Sequence, residues 1–173
     1  MIKVDLKGSE KEFESGVSVA EVAKSIGMGL YKSACAAKVN GEVCDLRTVL
    51  NEDCKVEILT FDDKEGKKAY WHTASHIMAQ AVNRLYPGTK FAIGPAVDNG
   101  FYYDMELPQA ITNDDLAKIE AEMKKIVKES IRLEHFTMAP DEAIKYLEEQ
   151  GEPYKVELCQ EHAGTAGNSN VSV

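Results

Sequence analysis

The spacing of apolar residues changes near residue 61 of this 173-residue chain, and this change constrains the fold more than any other feature. Before residue 61, short runs such as IKVDL and CKVEILTF have the composition and alternation of β-strands. After residue 70, apolar residues recur every three or four positions, as they do on helices. The polar, aperiodic stretch FDDKEGKKAY between them predicts a linker over 62–70. We therefore expect two modules, one over 1–61 and one over 71–173.

The first module has the signals of a small sheet wrapped over one helix. Ser18 and Glu21 have the spacing of a capping box, and Gly27 and Gly29 are expected to end the helix that it starts. Asn40-Gly41 separates two β-type runs, and this dipeptide tolerates the positive φ angles of a tight hairpin turn. The order strand, strand, helix, strand, strand, strand predicts an α+β fold of the β-grasp (ubiquitin-like) type.

The second module is predicted to be α+β as well. TNDDLAKIEAEMKKIVKESIRL has helical spacing with Thr112 as its cap, and APDEAIKYLEEQG has Pro140 near its start and Gly151 just past its end. TKFAIGPAVDNGFYYDMEL is rich in β-branched and aromatic residues interrupted by Gly-Pro and Asn-Gly, which predicts short strands with a tight connection. The small, polar tail AGTAGNSNVSV indicates a domain that is truncated at its C-terminal end, or a mobile loop.

Charge and cysteine content narrow the classes of function. The net charge of −9 argues against non-specific nucleic-acid binding through a broad basic surface. The sequence has no run of the roughly 18 apolar residues that span a bilayer and no basic-then-apolar start, so a cytoplasmic protein is expected. Cys35, Cys44, Cys54 and Cys159 show no C-x-x-C spacing, and we expect reduced, packed thiols.

Two histidines lie four residues apart in YWHTASHIMAQAVNRLYPG. On a helix of about 100° per residue, His72 and His76 share a face with Ala79 and Asn83, opposite an apolar stripe. One water or one ion could meet both imidazoles, which titrate near neutral pH and therefore suit proton transfer. Two ligands are fewer than a zinc site needs, and the H-E-x-x-H pattern is absent. Spacing alone leaves open both a site and an exposed pair without function.

A longer set of motifs is far more specific. H-x-x-x-H is followed by YPGTKFAIGPAVDNGFYYD and then by GEPYKVEL at 151–158. These motifs, in this order, closely resemble the N-terminal region of bacterial threonyl-tRNA synthetase, and residues 1–61 resemble its TGS domain. The resemblance covers residues 1–164. It implies an N-terminal fragment of an aminoacyl-tRNA synthetase, without the aminoacylation core, whose editing domain hydrolyses serine mischarged onto threonine tRNA.

The resemblance also implies roles for individual residues. His72, His76 and Lys155 match the family's catalytic positions in the editing pocket. The positions that match its substrate-binding wall are Gly94, Pro95, Asp98, Tyr103 and Asp104. From residue type alone, Lys155 could equally be a solvated lysine, and the last three could cap a turn and fill a hairpin.

One departure from the family concerns the rest of the editing site. The family also uses a C-x-x-x-H pair well beyond the GEPYKVEL segment, whereas Cys159 and His162 are spaced C-x-x-H directly after it. We therefore interpret these two as local residues. A zinc site formed by both of them with His72 and His76 stays open, since those side chains suit zinc.

Cofactors and partners follow from the same resemblance. It implies no cofactor and no metal for this region, while the full-length family enzyme uses ATP, magnesium and zinc in its core; no phosphate-loop motif is found here. The implied partner is the 3′ aminoacyl end of threonine tRNA, without a membrane, and a homodimer is expected only for the full-length enzyme. The alternative functions are a non-catalytic RNA- or protein-binding module and a small metal-binding protein that uses histidine and cysteine side chains.

Overall fold

In a computed structural model, the chain forms two compact units, Met1–Thr73 with Ala96–Gly100 and Ala74–Pro95 with Phe101–Val173. The structure describes residues 1–131, 134, 136–166 and 171–172, and for 162–166 and 171–172 it describes the backbone only. In these described ranges, no helix is both long and apolar enough to cross a membrane.

The first unit is built on a five-stranded mixed sheet in the order β2-β1-β7-β4-β5. Strand β1 runs parallel to β7, and the other neighbouring pairs are antiparallel. Side chains of α1 pack against those of the sheet in one buried apolar cluster, which confirms the predicted β-grasp architecture. The elements are β1 (Ile2–Leu6), β2 (Ser9–Phe13), β3 (Val17–Ser18), α1 (Val19–Ile26), α2 (Met28–Ser33), β4 (Ala34–Val39), β5 (Glu42–Cys44), β6 (Val49–Leu50) and β7 (Cys54–Thr60).

Local signals fix both ends of α1. The Ser18 N–H donates to Oε2 of Glu21 at 2.9 Å, and the Glu21 N–H donates to Oγ of Ser18 at 3.3 Å, so the capping box is confirmed. The Ser18 N–H, and then the Ser18 hydroxyl, which donates to the same Oε2 atom at 2.7 Å, lower the pKa of the Glu21 carboxyl. Gly27 ends the helix as predicted, but Gly29 does not act as a stop: it lies inside α2, where the Ser33 hydroxyl donates to its carbonyl at 3.1 Å.

The predicted hairpin turn is also confirmed. Asn40 and Gly41 connect β4 to β5 with φ angles of 51° and 91°, the positive values that this turn requires. Oδ1 of Asn40 accepts the N–H of Lys55 at 2.9 Å, which ties the turn to β7.

The start of α3 (Lys64–Leu85) differs from the sequence expectation, because Lys64 to Tyr70 are helical rather than an aperiodic linker. The carboxylate of Asp63 accepts the Thr60 N–H at 2.7 Å, and the Asp63 carbonyl accepts the Lys67 N–H at 2.8 Å, which begins the helix. Glu65 forms an ion pair with Lys38 of β4 at 2.8 Å. Polar contacts to the sheet therefore hold a helical start that no apolar pattern reveals.

Aromatic side chains add to this attachment. Phe61 contacts Tyr70 and Trp71 edge-to-face, with ring centroids 5.0 and 5.7 Å apart. The Lys67 ammonium lies 5.2 Å from the centre of the Phe61 ring. Such contacts are favourable beyond the area that they bury, so they hold the first turns of α3 against the end of β7.

The elements that follow α3 are β8 (Lys90–Phe91), β9 (Ala96–Val97), β10 (Gly100–Phe101), β11 (Met105–Glu106), α4 (Asn113–Glu129), β12 (Thr137–Met138), α5 (Pro140–Glu149), α6 (Pro153–Ala166) and β13 (Val171–Ser172). Strand β8 pairs with β11, and β12 pairs with β13; β9 pairs with β10, and Ala96–Gly100 of that pair belong to the first unit. In the second unit, the remaining turns of α3 pack against α4 and the β8–β11 pair. The buried apolar cluster that they form contains Ala81, Val82, Tyr86, Phe91, Ile119 and Ile126.

The helix ends of this unit follow the predicted signals. Oδ2 of Asp115 accepts the N–H and the hydroxyl of Thr112 at 2.9 and 2.8 Å, so Thr112 caps α4 as expected. Pro140 is the first residue of α5, and Gly151 follows its end with a φ of 71°. Between α3 and α4, the Arg84 guanidinium donates to Glu129 through both terminal nitrogens, at 2.9 and 2.8 Å.

Candidate functional site

The face of α3 that carries the histidines is exposed, as the helical-wheel analysis predicts. His72, His76 and Asn83 are exposed, while Ala81 and Val82 on the opposite side are buried. His72 belongs to the part of α3 in the first unit and His76 to the part in the second unit. The histidines are therefore not core residues, and their imidazoles are accessible to solvent.

Ser75, the residue before His76, is fully buried. Its hydroxyl donates to the carbonyl oxygen of Gly94 at 3.2 Å, which ties α3 to the chain that follows β8. Sequence analysis missed Ser75. The position of Ser75 at the border of the apolar stripe of α3 could have indicated its role. A hydroxyl at such a position is buried and needs a hydrogen-bond partner.

Gly94 lies directly against the ring of Tyr103. A Cβ atom built at Gly94 would overlap this ring and come 2.8 Å from its Cγ atom. Two backbone hydrogen bonds of 2.9 Å join the same segments, from Asp104 N–H to the Ile93 carbonyl and from Ala92 N–H to the Asp104 carbonyl. The absence of a side chain at Gly94 therefore permits the approach of the ring to the backbone.

Phe91 contacts the Tyr103 ring, with ring centroids 5.7 Å apart and an edge-to-face angle of 83°. Burial raises the pKa of the Tyr103 phenol because the phenolate loses its hydration, and the nearby Glu152 carboxylate raises it further. Tyr103 is thus a half-buried wall residue whose hydroxyl stays protonated at neutral pH.

Glu152 acts electrostatically on Tyr103 and forms an ion pair with Lys155. Its Oε1 atom lies 3.1 Å from Nζ of Lys155, three residues further along the chain. Its Oε2 atom is buried and, among the described residues, has no hydrogen-bond partner. Sequence analysis missed Glu152, although it lies within the GEPYKVEL segment that carries the family resemblance.

Within the second unit, Gly94 lies against the ring of Tyr103, and Lys155 forms an ion pair with Glu152. The other predicted wall positions have different surroundings. Pro95 is half-buried beside Gly94, and Asp98 is exposed in the turn between β9 and β10. The Asp104 side chain is exposed, and its backbone makes the two hydrogen bonds to the Ala92–Ile93 segment.

Cys159 and His162 both lie on α6. The Cys159 side chain is buried, whereas the side chain of His162 lies outside the described part of the chain, so the four-ligand zinc hypothesis stays a prediction. Among the side chains that are described, no group of three or more histidine, cysteine, aspartate or glutamate residues is arranged to bind a metal ion.

The predicted catalytic residues carry two kinds of side chain, the imidazoles of His72 and His76 and the ammonium group of Lys155. An exposed imidazole can orient a water molecule and accept its proton, and an ammonium group can stabilise an oxyanion. These groups suit hydrolysis of an ester.

Comparisons with known proteins give one domain match and several similar proteins. Residues 4–60 match the TGS domain. The threonine–tRNA ligase of Acetivibrio thermocellus is 56% identical over 162 residues, which is 93% of this chain and 26% of that protein. Those of Caldanaerobacter subterraneus subsp. tengcongensis and Clostridioides difficile are 53% identical, over 89% and 93% of this chain and 24% and 25% of those proteins. The chain thus spans about a quarter of the length of the curated relatives that it matches.

Proposed function

Because this chain is homologous over most of its length to the N-terminal part of threonine–tRNA ligase, an aminoacyl-tRNA synthetase, we propose that it acts in proofreading. In this proposal, residues 1–61 form the TGS domain, 62–70 connect it to the next domain, and 71–173 carry the editing region. That region hydrolyses serine mischarged onto threonine tRNA. The observation that carries the proposal is the exposed histidine pair of α3 in a chain with this homology.

The physical need for such a reaction comes from the substrates. Serine and threonine differ by one methyl group, and a binding site discriminates a difference of this size by only about 10- to 200-fold. A second, hydrolytic site that removes the wrong amino acid raises the accuracy of the overall reaction.

We assign the roles by chemistry. His72 or His76 orients a water molecule and accepts its proton as the oxygen attacks the ester carbonyl. The Lys155 ammonium stabilises the negative oxygen of the tetrahedral intermediate. The bond between the carbonyl carbon and the ribose oxygen then breaks, the imidazolium returns its proton to that ribose oxygen, and serine and uncharged tRNA leave. Gly94, Pro95, Asp98, Tyr103 and Asp104 form the substrate-binding wall in this proposal.

This reaction needs no cofactor and no metal, because water is the only co-reactant of ester hydrolysis. The partner is the 3′ aminoacyl end of threonine tRNA. The chain's net charge of −9 suggests that this end is recognised by a local site rather than by a broad basic surface.

The match of residues 4–60 to the TGS domain favours an alternative, in which the chain docks RNA or protein without catalysis.

Binding of a substrate analogue separates the two functions. We expect the chain to bind 3′-serylamino-adenosine, in which an amide replaces the ester, and His76→Ala to weaken this binding at least tenfold. Isothermal titration or NMR titration measures both. Asn83→Ala, an exposed polar change on the same face of α3, is the matched control and should bind like the native chain. Equal binding by the His76→Ala and native chains would favour the docking function.

A further inference from the structure

Backbone hydrogen bonds hold Glu152 in place through both its N–H and its carbonyl group. Its N–H donates to the Leu147 carbonyl at 3.1 Å, and its carbonyl accepts the N–H groups of Lys155 and Val156, each at 3.1 Å. Pro153, the first residue of α6, restricts the backbone directly after it. Glu152 therefore joins the end of α5 to the start of α6 with little freedom to move.

The Glu152 carboxylate is also unusual for a glutamate that pairs with a neighbouring lysine. The side chain is 21% exposed, compared with 39% for Lys155, and its Oε2 atom is buried without a hydrogen-bond partner among the described residues. A buried carboxylate oxygen without a donor is destabilising, because it has lost its hydration without gaining a hydrogen bond. An ordinary surface ion pair does not require a buried carboxylate oxygen without a donor. The burial of Oε2 in Glu152 therefore calls for another explanation.

We propose that Glu152 is a positioning residue of the editing site, one that holds the Lys155 ammonium in place through their ion pair. This inference rests on the function proposed above. A lysine side chain has four rotatable bonds, and an ion pair with a fixed carboxylate removes much of that freedom before the substrate binds. Misplacement of a catalytic group by about 1 Å can reduce the rate by roughly 100-fold.

The location of Glu152 supports this role. It directly precedes the first turn of α6, where the helix dipole favours a negative charge. The same carboxylate acts on the Tyr103 phenol, whose pKa it raises. One residue thus influences both the cation and the aromatic wall of the site.

The test compares Glu152→Gln and Glu152→Ala with Glu157→Gln, an exposed carboxylate on the same helix. We expect both Glu152 variants to bind 3′-serylamino-adenosine at least tenfold more weakly than the native chain, and Glu157→Gln to bind normally. A second readout is the NMR or ultraviolet titration of Tyr103 in the free protein. Because removal of a negative charge favours the phenolate, the pKa of Tyr103 should fall in Glu152→Gln.

The outcomes separate this inference from the proposed function. Native-like binding by Glu152→Gln, with binding still lost in His76→Ala, would overturn the positioning role and leave the editing function intact. If the native chain itself does not bind the analogue, the editing function fails, and the Tyr103 titration decides the role of Glu152. An unchanged Tyr103 pKa in Glu152→Gln would show that Glu152 does not organise this cluster.

Discussion

Replacing Gly66 with alanine should lower the free energy of unfolding of the first unit by about 2 kcal/mol. A Cβ atom at this position would overlap the carbonyl oxygen of Thr60 and come 2.8 Å from its carbonyl carbon. Thr60 ends β7, and its N–H is bonded to the Asp63 carboxylate, so the backbone cannot move away freely. Overpacking of this kind costs about 1–3 kcal/mol, and the better helix propensity of alanine offsets up to about 1 kcal/mol.

Gly29→Ala is the matched control, because Gly29 is also helical and a Cβ atom there would meet no atom within 4 Å. Only the gain in helix propensity applies to this variant, so we expect it to be as stable as the native chain or slightly more stable. Urea unfolding followed by circular dichroism measures both. If Gly66→Ala unfolds at the same urea concentration as Gly29→Ala, the close packing of α3 on β7 is contradicted.

Gly94→Ala should destabilise the second unit by about 1–3 kcal/mol and weaken binding of the seryl analogue. The new methyl group would overlap the Tyr103 ring, which cannot turn away easily because Phe91 contacts it edge-to-face. Either the ring or the Ala92–Gly94 segment must shift, and both belong to the wall of the proposed site. Urea unfolding and analogue titration measure the two effects.

A double-mutant cycle with Tyr103→Ala provides the control. Since truncation of the ring removes the overlap, Gly94→Ala should cost much less stability in the Tyr103→Ala background than in the native chain. Additive effects of the two substitutions would contradict the close approach of Tyr103 to the Gly94 backbone.

The elements that sequence predicted correctly are those with a local cause. The Ser18–Glu21 capping box, the Asn40-Gly41 turn and the Thr112 cap each depend on residues within a few positions of one another. The apolar stripe of α3 is likewise a local pattern. Such features are readable because the residues that make the interaction are adjacent in the chain.

The features that sequence did not predict depend on distant residues. The start of α3 is held in part by the ion pair between Glu65 and Lys38 of β4, and nothing in the pattern of FDDKEGKKAY reveals this partner. Ser75 needs the carbonyl of Gly94, which lies 19 residues away, before its role is visible. Polar residues in such places follow no hydrophobic period, so only the tertiary contact identifies them.

The most direct test of the central claim is deacylation of threonine tRNA charged with serine. The measurement uses this chain and a version extended through the segment that follows in the threonine–tRNA ligases, each with and without His72→Ala and His76→Ala. We predict that the extended version hydrolyses seryl-tRNA, spares threonyl-tRNA, and loses the activity with either substitution. Hydrolysis no faster than in buffer, or full activity without the histidines, would contradict an editing function for this region.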